Sequence, residues 1–341
     1  MRICRAGFSH LLMMIICTTG AACAQSAPPH PVEDTSTHVT RMINVDKDVK
    51  LEVLDWGGTG RTLILLAGMG SDAHVYDTFA PKLSPAYHVY AITRRGFGKS
   101  SAPMPDSENY SADRLGDDVL AVMDELKIVM PVLVGHSLAG EELSSIGTRY
   151  PGKVAGLIYL EAAYSYAFYD MKAEMGDPAV DTAELRMELV QLVSPSSPRE
   201  QRVRSQHLLD VSIPRVERDL QEGIRQLRSV PDTAPGPPDT PQMRIMAAIQ
   251  RGVKIYSGVK IPVLAIYADP HDFGPLNGTD LTKRAERVAD DLARTSAQAD
   301  AFQAGNPAAR VIRLPNADHF VFRSNEADVL RDMNVFIATL P

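Results

Sequence analysis

Residues 133–143 read LVGHSLAGEEL, and the stretch divides at Ser137. Before it, Pro131-Val-Leu-Val is a short apolar run of strand composition. After it, LAGEELSSIGTRY has helical composition and stops at Pro151, so the serine falls where a strand turns into a helix. Such a turn is so tight that the positions two before and two after the serine must be small. Gly135 meets this fully; Ala139 adds one methyl where a second glycine is usual, and Gly140 follows at once. A structural serine in an ordinary strand-to-helix turn is the bland alternative, but a Gly-His-Ser triplet closing a buried strand is uncommon by chance.

Working outward, the same kind of run recurs: KLEVLDW, TLILLAG, HVYAIT, VAGLIYLEA, PVLAIYA and ARVIRLP. Most are nearly continuous in hydrophobicity rather than alternating, which predicts strands buried on both faces, as in a parallel sheet. Helical patterns separate several of them. In SADRLGDDVLAVMDELK, Ser111 is placed to cap a helix whose Leu115, Val119, Val122, Met123 and Leu126 share one face. Strand and helix in repetition predict an α/β fold with a doubly wound, mostly parallel sheet. Two stretches break the alternation. A charged, mainly helical segment at about 163–257, with the loop VPDTAPGPPDTP inside it, reads as an inserted helical cap, and a second insertion covers about 276–306.

The chain has 341 residues, 45% apolar and 23% charged, with a formal net charge of −7 from interspersed acids and bases. The absence of a basic stripe makes nucleic acid an unexpected partner. Arg2 and Arg5 precede LLMMIICTTGAA and then Ala22-Cys23-Ala24, the pattern of a secretory leader cleaved after Ala24. The apolar stretch falls short of the roughly 20 residues that span a membrane, so stable insertion is not expected. Lipid anchoring at Cys23 is the lesser alternative, because Gly20 stands where such signals carry a bulky aliphatic residue. Cys4, Cys17 and Cys23 all lie in this leader, so a mature chain over 25–341 would have neither a thiol nucleophile nor a cysteine-ligated metal.

With GHSLAG, AGMG at 67–70 and RRGFGKS at 94–100 in this order, the sequence resembles the α/β-hydrolase fold family over nearly all of its mature length. Two departures stand out: Ala67 replaces a usual histidine, and Thr93 stands where an aspartate is common. The resemblance implies that Ser137 is a nucleophile, which needs a base to take its proton. Three histidines follow it, His207, His271 and His319. His207 reads as a solvated residue of the insertion, whereas His319, in the loop PNADHF, occupies the position at which the family places its base. His136, next to the serine, is expected to point away and pack. For the acid, the loop PVLAIYADPHD offers Asp272, at the family's usual distance beyond the strand, and Asp269, which abuts the strand. Glu161, closing LIYLEAAY, is a third candidate, since some members of the fold use a carboxylate there. The preference goes to Asp272, with Glu161 and then Asp269 open. The amides of Met69 and Leu138 are implied as oxyanion donors. The aromatic run YSYAFYD at 164–170 suits either a substrate pocket or ordinary packing.

What the resemblance implies is a serine hydrolase acting on a small-molecule ester, thioester or lactone through an acyl-enzyme. Dehalogenases and epoxide hydrolases of this fold usually need aspartate at the nucleophile position, which Ser137 does not supply. An iminopeptidase-like aminopeptidase, and a non-catalytic binding protein on the same scaffold, are the alternatives. No metal-ligand spacing or phosphate-cradling glycine loop is present, so no metal and no cofactor is expected.

Overall fold

The computed structural model describes residues 37–106, 108–162, 178–228, 231–232, 236, 239–256, 258–272 and 280–341. The leader and the aromatic run at 164–170 lie outside the described residues. Eight strands form one sheet: β1 (Val39–Asp46), β2 (Val49–Gly57), β3 (Thr62–Leu66), β4 (His88–Ile92), β5 (Val132–His136), β6 (Gly156–Leu160), β7 (Val263–Ala268) and β8 (Arg310–Leu314), in the order β1-β2-β4-β3-β5-β6-β7-β8. The β1–β2 and β2–β4 pairs are antiparallel; every other pair is parallel. Most of the continuous runs of the sequence are parallel strands; KLEVLDW is β2, antiparallel to both neighbours, and ARVIRLP is β8, at the far sheet edge with only Leu314 buried. All of β5, β6 and β7 is buried, because helices cover both faces and no strand face meets water. β1 is the strand that sequence patterning overlooks. It sits at the sheet edge with Ile43 its only buried residue, so its sequence carries no hydrophobic run.

Ten helices accompany the sheet among the described residues: α1 (Ala80–Leu83), α2 (Ala112–Glu125), α3 (Gly140–Arg149), α4 (Pro178–Leu192), α5 (Pro198–His207), α6 (Ile213–Leu227), α7 (Pro241–Arg251), α8 (Leu281–Gly305), α9 (Val321–Ser324) and α10 (Glu326–Ile337). The strand alternation sorts the core into two layers. On one face Ile64, Leu133, Leu157 and Tyr267 pack with Val119, Val122 and Met123 of α2, Leu143 and Ile146 of α3, and Phe302 of α8. On the other, Leu65, Val134, Ile158 and Ile266 pack with Leu83 of α1 and Val329, Met333 and Phe336 of α10. Ser111 caps α2 as the sequence predicts, its hydroxyl accepting from the Arg114 amide at 3.3 Å.

The chain divides into two compact units. One, with described residues between 178 and 239, holds α4, α5 and α6. Within it Ser197 and Glu200 form a reciprocal cap at the start of α5, and His207 pairs with Glu188 at 2.8 Å. The other unit holds the sheet and the remaining helices. It includes α7, which falls within the cap boundaries expected from sequence. The apolar face of α7, Ile245, Met246, Ala248 and Ile249, packs with Phe97, Tyr110 and Leu115 of the sheet unit. Among the described residues, no helix is long and apolar enough to cross a membrane.

The parallel register brings the loops of interest together. Leu66 pairs with Gly135, Gly135 with Tyr159, Leu160 with Ile266 and Ala268 with Leu314, so β3, β5, β6, β7 and β8 all end at one edge. Ala67–Met69, Ser137, Glu161, Asp269–Asp272 and the loop carrying His319 leave the sheet side by side.

Candidate active site

Ser137 has φ of 53°, the left-handed region that costs a non-glycine residue of order 1–3 kcal/mol and that surrounding structure must enforce. The turn around it is crowded. A Cβ built on Gly135 would lie 2.8 Å from Leu143 Cδ1 and 3.1 Å from Ala139 Cβ, and one on Gly68 would lie 3.0 Å from Ser137 Cβ. Position 139 therefore accepts its methyl because position 135 has none. The loop after β3 approaches the serine closely enough that any side chain at residue 68 would crowd it.

His136 does not turn away from the site as expected: it is buried and donates Nε2–H to the backbone carbonyl of His319 at 2.8 Å. Burial first, and the neighbouring His319 second, push its pKa down to about 3, so the ring is neutral at ordinary pH. Its packing role has specific content: the residue before Ser137 fastens the loop that carries His319, and the two rings lie 4.7 Å apart.

The carboxylate at Nδ1 of His319 belongs to Glu161, whose Oε2 lies 3.3 Å away. Glu161 is 0% exposed and has φ of 50°, a turn that swings its side chain across the end of β7. There Oε1 accepts the Ala268 amide at 2.7 Å. Burial disfavours its charge, but hydrogen bonds from His271 and His319 outweigh burial and hold the carboxyl well below the usual range. Where the sequence preference goes to Asp272, the carboxylate found against His319 Nδ1 is that of the second candidate, Glu161. The β7 loop continues its pairing with the β8 loop, His271 bridging Ala317 and the Asp272 amide donating to Ala317 O at 2.7 Å. Strand-like alternation then turns His271 inward and leaves Asp272 exposed. Asp269 is buried elsewhere, accepting from Ser296 at 3.0 Å and paired with Arg313 at 3.3 Å.

His271 completes the cluster. Its Nε2 lies 2.7 Å from Glu161 Oε2, while Nδ1 and the backbone amide lie 3.0 and 2.8 Å from Asp291 Oδ2 of α8. Burial opposes its protonation, but hydrogen bonds to Asp291 and Glu161 prevail and push the pKa up to about 10. Glu161, His271 and His319 offer donor atoms within 4.8 Å of one another, the spacing of a possible metal site. A ring nitrogen that donates to a carboxylate has no lone pair for a metal, however, and both nitrogens of His271 face carboxylates. The cluster is a hydrogen-bonded chain.

Met69 and Leu138 flank Ser137, their side chains packed against the cluster built on Phe97, Tyr110 and Ile245. A residue that sequence reasoning missed supports this loop. Arg94, buried just beyond β4, donates Nη2–H to Ala67 O at 2.8 Å and makes a longer contact from Nη1 to Gly68 O at 3.4 Å. Glu142 of α3 receives its Nε–H at 2.5 Å. In a trans peptide the carbonyl and N–H point in opposite directions, so a Gly68 carbonyl held by Arg94 turns the Met69 amide the other way. Thr93 also has a defined setting: its hydroxyl donates to Glu52 Oε2 at 2.9 Å and accepts the Ala73 amide at 3.0 Å.

Comparison with known proteins agrees with this architecture. The profile of the alpha/beta hydrolase family matches residues 63–332. A fluoroacetate dehalogenase from a Burkholderia species is 32% identical over 116 residues, 33% of this chain and 38% of that protein. The 2-(acetamidomethylene)succinate hydrolase of Mesorhizobium japonicum is 26% identical over 104 residues, 30% of this chain and 36% of that protein. The chain thus spans less than two fifths of the length of these curated relatives. The solved structure of E-2-(acetamidomethylene)succinate hydrolase superposes with a TM-score of 0.56 at 20% identity, covering 89% of this chain and 100% of that one. With sheet order, elbow and profile in agreement, the chain belongs to the alpha/beta hydrolase family.

Proposed function

We propose that this protein is an exported hydrolase that cleaves a small ester, thioester or lactone through an acyl-enzyme on Ser137. The observation that carries the reading is the buried, ionised Glu161 at 3.3 Å from His319 Nδ1. A carboxylate there fixes the proton on Nδ1 and leaves Nε2 with a lone pair. That nitrogen takes the Ser137 proton as the serine oxygen attacks the substrate carbonyl. The resulting oxyanion is met by the amides of Met69 and Leu138, each such donor contributing about 3 kcal/mol to the barrier. The imidazolium of His319 then passes its proton to the leaving group, leaving an acyl-serine. Water attacks that ester with His319 again as base, and Ser137 regains its proton. Ser137, in place of a carboxylate, supports acyl transfer over the displacement at carbon that dehalogenation requires. The Arg2, Arg5 and Ala22-Cys23-Ala24 pattern supports export.

A fluorophosphonate probe tests the nucleophile and an aryl-ester series of varied acyl length tests the substrate class. The wild-type chain should label at Ser137 and turn over esters, and Ser137→Ala should lose labelling and about 10^6 in kcat. A purified Ser137→Ala protein that keeps a tenth of the activity would end the proposal, and a wild-type chain that neither labels nor turns over would point to a binding protein.

A further inference from the structure

We infer that His271, held as an imidazolium between Glu161 and Asp291, is a positioning residue that fixes the charge and direction of Glu161 and so tunes His319 as a base. The inference rests on the proposed acyl transfer for its kinetic consequence, but its structural half stands alone. His271 Nε2 meets Glu161 Oε2 at 2.7 Å and Nδ1 meets Asp291 Oδ2 at 3.0 Å. An ionised carboxylate only accepts. A neutral imidazole carries one N–H, so it would present a bare lone pair to one of the two carboxylates; only the doubly protonated ring satisfies both. The backbone of His271 is fixed beside the ring's partner, its amide bound to the same Asp291 oxygen at 2.8 Å and the residue bridged to Ala317.

Among the described residues, charged groups approach the ring from several elements. From α8, Asp291 faces the ring, and its other oxygen is taken by Arg294 at 2.7 Å. From the end of β6 comes Glu161, and from the loop after β8 comes His319. On the same loop as His271, Asp269 is paired with Arg313, and Asp272 is an exposed residue. Tyr267, buried on β7, stays neutral because burial drives its pKa well up. The chain of charges is therefore Arg294, Asp291, His271, Glu161, His319, alternating in sign up to the base. Both histidines address the same Glu161 oxygen, so the imidazolium at 2.7 Å withdraws part of the negative charge that His319 feels at 3.3 Å. His271 thereby weakens the hold that a lone buried carboxylate would have on the proton of the base. The anchor of this device, Asp291, lies in the insertion between β7 and β8.

The ring titration of the full-length, 15N-labelled chain tests the structural half. The His271 nitrogens are assigned by their loss in His271→Gln, or by their perturbation in Asp291→Asn should the first variant not fold. Both should carry protons at pH 8 in the wild-type chain, and Asp291→Asn should lower the pH of deprotonation by more than about one unit, as loss of a contacting charge does. A wild-type ring that is neutral at pH 8, or an Asp291→Asn titration that does not move, overturns the inference whatever the activity. The kinetic half is read in kcat/KM for an aryl ester against pH. In His271→Gln the acid limb should move to higher pH by about one unit or more, with a much smaller loss on the high-pH plateau. A fall of equal size at every pH with an unmoved limb is the signature of a merely structural residue and also overturns it. Failure of the wild-type chain to hydrolyse esters would refute the hydrolase reading while leaving the ring titration intact.

Discussion

Replacing Glu161 by glutamine tests the acid directly, and the size of the effect follows from its surroundings. The carboxylate is 0% exposed, so no solvent screens what its removal does. Its Oε2 accepts from His319 and from His271. Glutamine keeps the volume but offers one acceptor and one N–H pair. Both histidines address the Oε2 position and the Ala268 amide addresses Oε1, so the glutamine NH2 sets donor against donor at either one; at Oε2 it faces His319 Nδ1 and donates to it. In that orientation the His319 proton is forced onto Nε2, the nitrogen that must accept from Ser137. A tautomer inversion of this kind costs roughly 10^4 in kcat, equivalent to about 5.5 kcal/mol of barrier at about 1.4 kcal/mol per decade. Asp272→Asn changes an exposed side chain and should leave kcat within about twofold, as surface charges act weakly. The assay is aryl-ester hydrolysis at saturation over pH 6–9, with folding checked by near-UV dichroism. A folded Glu161→Gln protein within tenfold of wild type, or an Asp272→Asn protein that is crippled, would refute the assignment of Glu161.

Three further outcomes are expected. Glu141 is buried, neither of its oxygens has a hydrogen-bond partner among the described residues, and burial, followed by the charge of Glu142, raises its pKa well above the ordinary value. A raised folded pKa means stability that is complete below the unfolded pKa and lost as pH rises, so Glu141→Met should exceed wild type by on the order of 2–4 kcal/mol at pH 8 in urea unfolding. The gap should close toward pH 4.5. Arg94→Met leaves Glu142 buried without its cation and should cost about 3–5 kcal/mol; Arg94→Met with Glu142→Leu should recover much of that stability in the same unfolding assay but not kcat, because the Gly68 carbonyl stays unheld. Intact-mass measurement on protein from the native host should give a chain beginning at Gln25, and a mass for residues 1–341 would rule out cleavage.

Much of this arrangement is legible in the sequence, and what is not has physical reasons. The parallel strands declare themselves because burial on both faces demands unbroken apolar runs, and Ser137 because the turn demands small neighbours. β1 is silent because an edge strand with one buried side chain needs no such run. In sequence the acid stays open among three carboxylates because residue type does not reveal backbone direction. The φ of 50° at Glu161 aims its side chain along the sheet edge, and the Ala317 bridge decides that His271, not Asp272, turns inward. Arg94 shows its role only when α3 brings Glu142 to it, and His271 only when α8 brings Asp291.

The shared space at the elbow constrains the order in which this turn can be altered. Positions 135 and 139 have room between them for a single methyl, which residue 139 holds, and Leu143 closes the remaining gap. Ala139→Gly can occur at any time, since it only vacates space. Gly135→Ala made first is strained: its methyl would lie 3.1 Å from the one already present and 2.8 Å from Leu143 Cδ1, and both must give way. It becomes easier once Ala139 has been emptied, so the two turn sequences interconvert most readily, in either direction, through the turn that has glycine at both positions.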